Sequence, residues 1–278
     1  MLGKGTKIML GWLITLLVAV GIVWATRVWL CESFRISTPA METALHEGDG
    51  ILVNKCTTCF PPQQNDIVLF VSPLRQDSLL RPLFVSRCIG MPGDTVLISS
   101  ENYRINGKDF PRSPRALNTY FVSLNLKETF LSQAEQLQIP VRDLQPEPYG
   151  ITLSLTTFEE YQLREALGDK LSQQFVCRQI QPYQLVIPKK GRAYRLDSSS
   201  LMACREAILS ETGGKAIFSN GKLYLDGKET TFFFFQQDYY WLLSDNTNEA
   251  IDSRHLGLIP KDHIVGTAIC RWHKNNHE

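Results

Sequence analysis

The pattern of apolar and polar positions divides the chain into three regimes. From Ile8 to Thr26 the run IMLGWLITLLVAVGIVWAT carries no charge, about the length a helix needs to cross a hydrocarbon layer of roughly 30 Å. Beyond it, apolar and polar residues alternate in GILVNK, DIVLFVS, LFVSRCIG and TVLISSENYRING, the period of half-buried strands. Asn106-Gly107, Asn220-Gly221 and Asp226-Gly227 stand between strand-like runs and predict tight hairpins, because such turns need positive φ. In the middle, SLNLKETFLSQAEQLQI and TTFEEYQLREALGD have helical spacing. In the second, Thr157 with Glu160 reads as a capping box and Gly168 as the stop. A shorter helix is expected over 199–210. The aromatic run TTFFFFQQDYYWLL reads as a buried strand pair rather than a stacking platform for bases.

The soluble part is therefore expected to be mainly antiparallel β, with an α-containing insertion. Residues 1–30 form a cytoplasmic stub and membrane anchor, 31–117 and 181–278 the β core, and 118–180 the inserted subdomain. A cleaved signal peptide would have a shorter apolar region and a small-residue cleavage site, which VWATRVW does not offer. Lys4 and Lys7 precede the apolar run. By the positive-inside rule they place the N-terminus in the cytoplasm and the large C-terminal domain across the membrane.

Charge and cysteine content narrow the chemistry. With 29 basic against 28 acidic residues there is no electrostatic footprint for nucleic acid. Seven cysteines are too sparse for a disulfide scaffold. The CTTC motif at Cys56–Cys59 has the spacing of a local disulfide, a thiol pair, a zinc ribbon or a redox site, but no second CxxC or thioredoxin-like pattern accompanies it. No cofactor or metal-ligand cluster is expected. Asp49, Asp66 and Asp94 sit beside turn residues and read as turn formers.

Three segments carry a resemblance. STPAMETALHEGD is similar to S-x-S-M-x-P-T-L…GD, SRCIGMPGDTV to K-R-V-I-G-x-P-G-D, and SDNTNEAIDSRHLGLIPKDHIVGTA to G-D-N-R-x-x-S-x-D-S-R-x-x-G-x-V-P…I-x-G. In this order behind an apolar N-terminus, they resemble the bacterial type I signal peptidases, membrane-anchored Ser/Lys proteases that process exported preproteins. The resemblance implies a coiled antiparallel β core with an inserted subdomain. It places the chain in the bacterial cytoplasmic (inner) membrane as a single-pass protein with its site on the outer, periplasmic side. Exported preproteins or signal peptides are the implied partners, bound as an added strand, and an active sister peptidase is another.

In that family a Ser attacks the scissile carbonyl, a desolvated Lys takes its proton, a second Ser orients the Lys, and a hydroxyl joins the nucleophile's N–H in an oxyanion hole. Carried onto this chain, the nucleophile position is Ala40, the base position Ser86 and the Lys-orienting position Ala250; Thr38 and the Ala40 N–H would form the hole. All three catalytic side chains are absent. One such loss can silence a serine protease by about 10⁶, and a buried Lys without a nucleophile retains only its desolvation cost, so the losses are mutually consistent. The resemblance implies structural roles for Asp252 and Arg254 as a bracing ion pair, and for Gly90, Pro92, Gly93 and Asp94 as a turn in which Gly supplies unusual backbone angles. Further departures are Thr43, Ala44, Ser244 and Thr247. Ser37, His46 and Lys55 lie close in sequence, but nothing else marks a second dyad. The expected protein is a non-catalytic signal-peptidase relative. The alternatives are an active peptidase using a rearranged Ser37 or Ser86, and a scaffold whose function lies in the insertion.

Overall fold

The computed structural model describes residues 9, 12–21, 23, 30–74, 82–99, 102–114, 116–179, 181–246 and 250–273. The anchor expected over residues 8–30 lies largely outside them; residues 12–21 are helical and mostly exposed. Among the described residues no helix is long and apolar enough to cross a membrane.

The chain begins its β structure with β1 (Cys31–Arg35), a 3-10 turn at Pro39–Met41, β2 (Gly50–Asn54), β3 (Ile67–Val71) and β4 (Leu83–Gly90). A meander follows, of β5 (Thr95–Ile98), β6 (Asn102–Ile105) and β7 (Lys108–Pro111). The middle of the chain holds β8 (Leu117–Ser123), helix α1 (Lys127–Gln136), β9 (Arg142–Glu147), β10 (Gly150–Thr156), helix α2 (Thr157–Ser172) and β11 (Phe175–Cys177). Then come β12 (Tyr183–Val186), β13 (Ala193–Arg195), helix α3 (Ser198–Glu211), β14 (Ile217–Ser219), β15 (Lys222–Leu225), β16 (Lys228–Thr230) and β17 (Phe232–Phe234). The chain closes with β18 (Tyr239–Leu243), the short helix α4 (Ser253–Leu256), β19 (Ile259–Pro260) and β20 (Ile264–Trp272).

Seven strands form the main antiparallel sheet in the order β1-β2-β20-β3-β4-β18-β19, so the last strand of the chain is inserted between β2 and β3. Alternation drives this arrangement: Ile51, Val53, Leu69 and Val85 bury one face with Met41 and Leu45, while Val68, Phe70, Cys88 and Leu242 bury the other. The middle segment builds its own sheet, β11-β8-β10-β9, with α1 and α2 covering Tyr120, Val122, Leu153, Leu155 and Phe175. Alternation in β8 and β11, and the wholly buried β10, make this segment as much β as α.

All three expected hairpins form. Asn106, Asn220 and Asp226 and the glycines after them all have positive φ, the geometry that a two-residue turn requires. Two helix ends differ from expectation. The capping box in α2 belongs to Thr156 and Glu159, one residue earlier than Thr157 and Glu160, because Thr156 ends β10 in extended geometry and its hydroxyl reaches the Glu159 N–H. Gly168 does not stop the helix. Its φ of 73° makes a kink, and helical structure resumes to Ser172 because Leu163 and Leu167 bury in the same core. The aromatic run supplies two strands to different sheets, β17 paired with β13 and β18 with β4. Phe233, Phe235 and Tyr239 stack edge to face between them.

Candidate active site

Three segments converge where β4 passes β18. The first is the turn carrying position 40. Pro39 at its start presets the helical φ, and Thr38 before it is extended and exposed, its side chain making no capping bond. Ala40 and Met41 are buried. The Ala40 carbonyl accepts from the Asn246 N–H at 3.0 Å, and the Met41 sulfur accepts from the Asp245 N–H at 3.3 Å. These contacts dock the turn onto the segment after β18.

The second segment is β4. Ser86 has no exposed surface, and its hydroxyl lies 2.8 Å from that of Ser244, also buried. The next residue, Arg87, donates from Nε to Asp245 at 2.9 Å, with Nη2 on the second carboxylate oxygen. The register Leu243↔Arg87, continued past the end of β18, sets Ser86 across from Ser244, and Arg87 reaches diagonally past Leu243 to Asp245.

The third segment follows β18. Asp252 is fully buried and caps α4. Its carboxylate accepts from the Ser244 N–H at 2.9 Å and from the Arg254 N–H at 3.0 Å, and pairs with the Arg254 guanidinium at 2.8 Å. Burial works against the Arg254 charge, but the Asp252 carboxylate outweighs it and holds that group above its ordinary range. The Ser253 hydroxyl accepts from the Leu242 N–H at 2.9 Å. Ala250 is buried as well, next to 247–249, which lie outside the described residues. Bonds therefore link 40 to 246, 86 to 244 and 244 to 252.

The turn after β4 stands apart from this network. Gly93 has φ of +96°, a left-handed angle that favours glycine. Gly90 does not need such an angle; a Cβ there would meet the Ile187 side chain at 2.8 Å, so close packing explains that glycine. The Asp94 carboxylate accepts from the Met91 N–H at 3.0 Å and the Asn106 amide at 2.8 Å. Asp49 and Asp66 accept likewise from the N–H three residues before them, at His46 and Gln63.

The remaining candidates go elsewhere. Ser37 is exposed. Lys55 pairs with Glu32 at 2.9 Å, and His46 faces Asp49. Among the described residues no disulfide joins the seven cysteines.

A family profile described as "Signal peptidase, peptidase S26" matches residues 9–150 and 204–273, which is most of the chain. The chain belongs to this family. It is similar to the signal peptidase I of Buchnera aphidicola subsp. Baizongia pistaciae, with 24% identity over 263 residues, covering 90% of this chain and 72% of that protein. It is similar also to signal peptidase I of Aquifex aeolicus, with 25% identity over 248 residues, 87% of this chain and 75% of that one. Against signal peptidase I of Pseudomonas aeruginosa, identity is 32% over 135 residues, 42% of this chain and 45% of that one. The matched stretch runs on through 118–150 and leaves out 151–203.

Against the family's pattern, the structure adds residues that sequence reasoning did not pair. Ser244 stands where the pattern has Gly and Ser86 where it has Lys, and the two hydroxyls meet. Arg87 and Asp245 match the pattern yet went unnoticed as a pair. Joint departure at two positions was the available signal for the first pair, and opposite charge in two motifs for the second; only the β4–β18 register shows that each pair touches.

Proposed function

We propose that this chain is a non-catalytic member of the signal peptidase family, anchored by its N-terminal segment in the bacterial inner membrane, that keeps the protease frame for binding. One observation carries the reading: at the base position the buried Ser86 hydroxyl is engaged by the Ser244 hydroxyl at 2.8 Å. A serine hydroxyl cannot act as a base near neutral pH, and the methyl of Ala40 cannot attack a carbonyl. Ser244 stands where the family pattern has no side chain, and its hydroxyl bonds to the residue at the base position.

The peptide-binding part of the proposal rests on β1. It is an edge strand of the main sheet and leads directly into the turn carrying Ala40, so an exported preprotein or signal peptide would add beside it with main-chain hydrogen bonds. Thr38 and the Ala40 N–H would remain as an oxyanion site without an attacker, and Asp252–Arg254 would brace the loop. A sister peptidase is a second candidate partner. We take residues 118–180 as the inserted subdomain, with 31–117 and 181–278 as the β core.

The test is preprotein cleavage in liposomes by three proteins: the chain as it stands, the triple variant Ala40→Ser/Ser86→Lys/Ala250→Ser, and the same with Ser244→Gly. The expected result is cleavage by the quadruple variant alone. Cleavage by the unaltered chain, with labelling by a serine-directed acylating probe, would overturn the reading in favour of a rearranged active site. A separate observation favours a binding role for the insertion, its own buried core; deleting 118–180 should then abolish partner capture and leave the β core folded.

A further inference from the structure

Away from the catalytic positions, the loop after the 3-10 turn and the end of the last strand bring together His46, Asp49 and His273. The three side chains offer one ligand atom each, all within 4.8 Å of one another. The Asp49 side chain is 5% exposed. One carboxylate oxygen lies 2.8 Å from His273 Nδ1, and the other lies 3.7 Å from His46 Nδ1 and 2.9 Å from the His46 N–H. The imidazoles are 59% and 57% exposed, with ring centroids 5.8 Å apart. Burial works against the Asp49 charge, but hydrogen bonds from the His46 N–H and the His273 ring, with the attraction of the two imidazoles, outweigh it and hold that carboxyl below its usual range.

The surroundings fix this arrangement. The loop is closed by Ile36 N–H to the Asp49 carbonyl at 2.8 Å and Gly48 N–H to the Ile36 carbonyl at 2.8 Å. Trp272 lies directly over Gly50, where any Cβ would fall 2.1 Å from the indole, and Arg271 donates to the Ala44 carbonyl. His273 is thereby delivered to Asp49 from the opposite end of the chain, which is why sequence spacing gave no hint of a cluster.

We infer that His46, Asp49 and His273 form a binding site for one borderline divalent transition ion of the zinc class, which ties the loop following Ala40 to the end of β20. Two imidazoles and a carboxylate are a donor set for such ions, and a solvent-facing position remains for water. Bonds of about 2.0–2.1 Å in a tetrahedron put ligand atoms roughly 3.4 Å apart. The exposed rings need only small rotations to reach that spacing around the held carboxylate.

The test uses full-length, untagged protein in detergent on a Cys56→Ser/Cys59→Ser background, so that neither a histidine tag nor the thiols compete. Zn²⁺ titration by calorimetry should give one bound ion. His46→Gln and His273→Gln should each weaken it by at least the roughly 10–100-fold that outer-shell partners cost. Zn²⁺ at about 100 times Kd should raise the Tm by about 5–10 °C, and the double variant His46→Gln/His273→Gln should lose the rise while keeping its metal-free Tm. Absence of binding, or binding undiminished in the double variant, overturns the site and leaves a hydrogen-bonded His–Asp–His cluster. These variants lie outside the catalytic positions, so preprotein cleavage is a separate readout.

Discussion

At position 86 a hydroxyl sits where the family pattern has an amine, and its partner at 244 sits where the pattern has no side chain. The pair satisfies two polar groups that would otherwise be buried alone, a loss of about 1–3 kcal/mol each. Ser86→Lys by itself should therefore be severe, burying a cation without a partner at about 3–5 kcal/mol. Adding Ser244→Gly should recover part of that, and urea denaturation of the two variants measures the difference. A second residue-scale prediction concerns the thiols. The Cys59 thiol donates to Cys56 and holds the Cys56 pKa down, while Cys59 itself is raised; the thiolate is the nucleophile, so Cys56 should alkylate at lower pH than Cys59. Cys59→Ala should shift the Cys56 profile to higher pH. Burial pushes Cys204 up to about 12 and raises Cys88 further, so neither should label in the folded protein. Iodoacetamide labelling read by peptide mass spectrometry over a pH series decides all of these.

Among the elements, turns and caps hold the register. Gly93→Ala keeps the space, since the nearest atom to the new Cβ is in the Lys189 side chain at 3.5 Å, but leaves a φ of +96°. It should cost about 1–2 kcal/mol. Thr156→Ala removes the N-cap of α2 at about 1 kcal/mol and leaves the Glu159 N–H without its acceptor, while the Glu159 carboxylate stays held by the residue-156 N–H and by Arg142 at 2.9 Å; thermal unfolding measures both. Such elements were open to reading. The three hairpins were predicted from Asn-Gly and Asp-Gly because the turn chemistry is local. The α2 cap was misplaced by one residue because Thr156 and Thr157 both offer a hydroxyl, and the end of β10 selects between them. Gly168 read as a stop because left-handed φ normally ends a helix, whereas burial of Leu167 carries this one through a kink.

On the scale of the whole molecule there are separate cores. Phe130, Leu153 and Phe175 belong to the middle sheet, and Val68, Phe70 and Leu242 to the main one. Phe130→Ala, at a fully buried position, should cost about 3–5 kcal/mol. That loss should be confined to 117–177, so hydrogen exchange should accelerate there while β3, β4 and β18 keep their protection; uniform acceleration would show a single cooperative unit.

Sequence alone determined the strand periodicity, the hairpins, the helices of the middle segment, and the absence of a Ser, a Lys and a second Ser at the positions the family pattern assigns. These are properties of short windows, set by side-chain alternation, turn chemistry and residue identity. Tertiary structure decided which side chains meet at those positions. The contacts between Ser86 and Ser244, Arg87 and Asp245, and Asp49 and His273 join residues more than a hundred positions apart, and each depends on a strand register or a chain end brought home by the sheet order β2-β20-β3 or the β4–β18 pairing. Register is a collective outcome of which faces bury together, so no local window contains it.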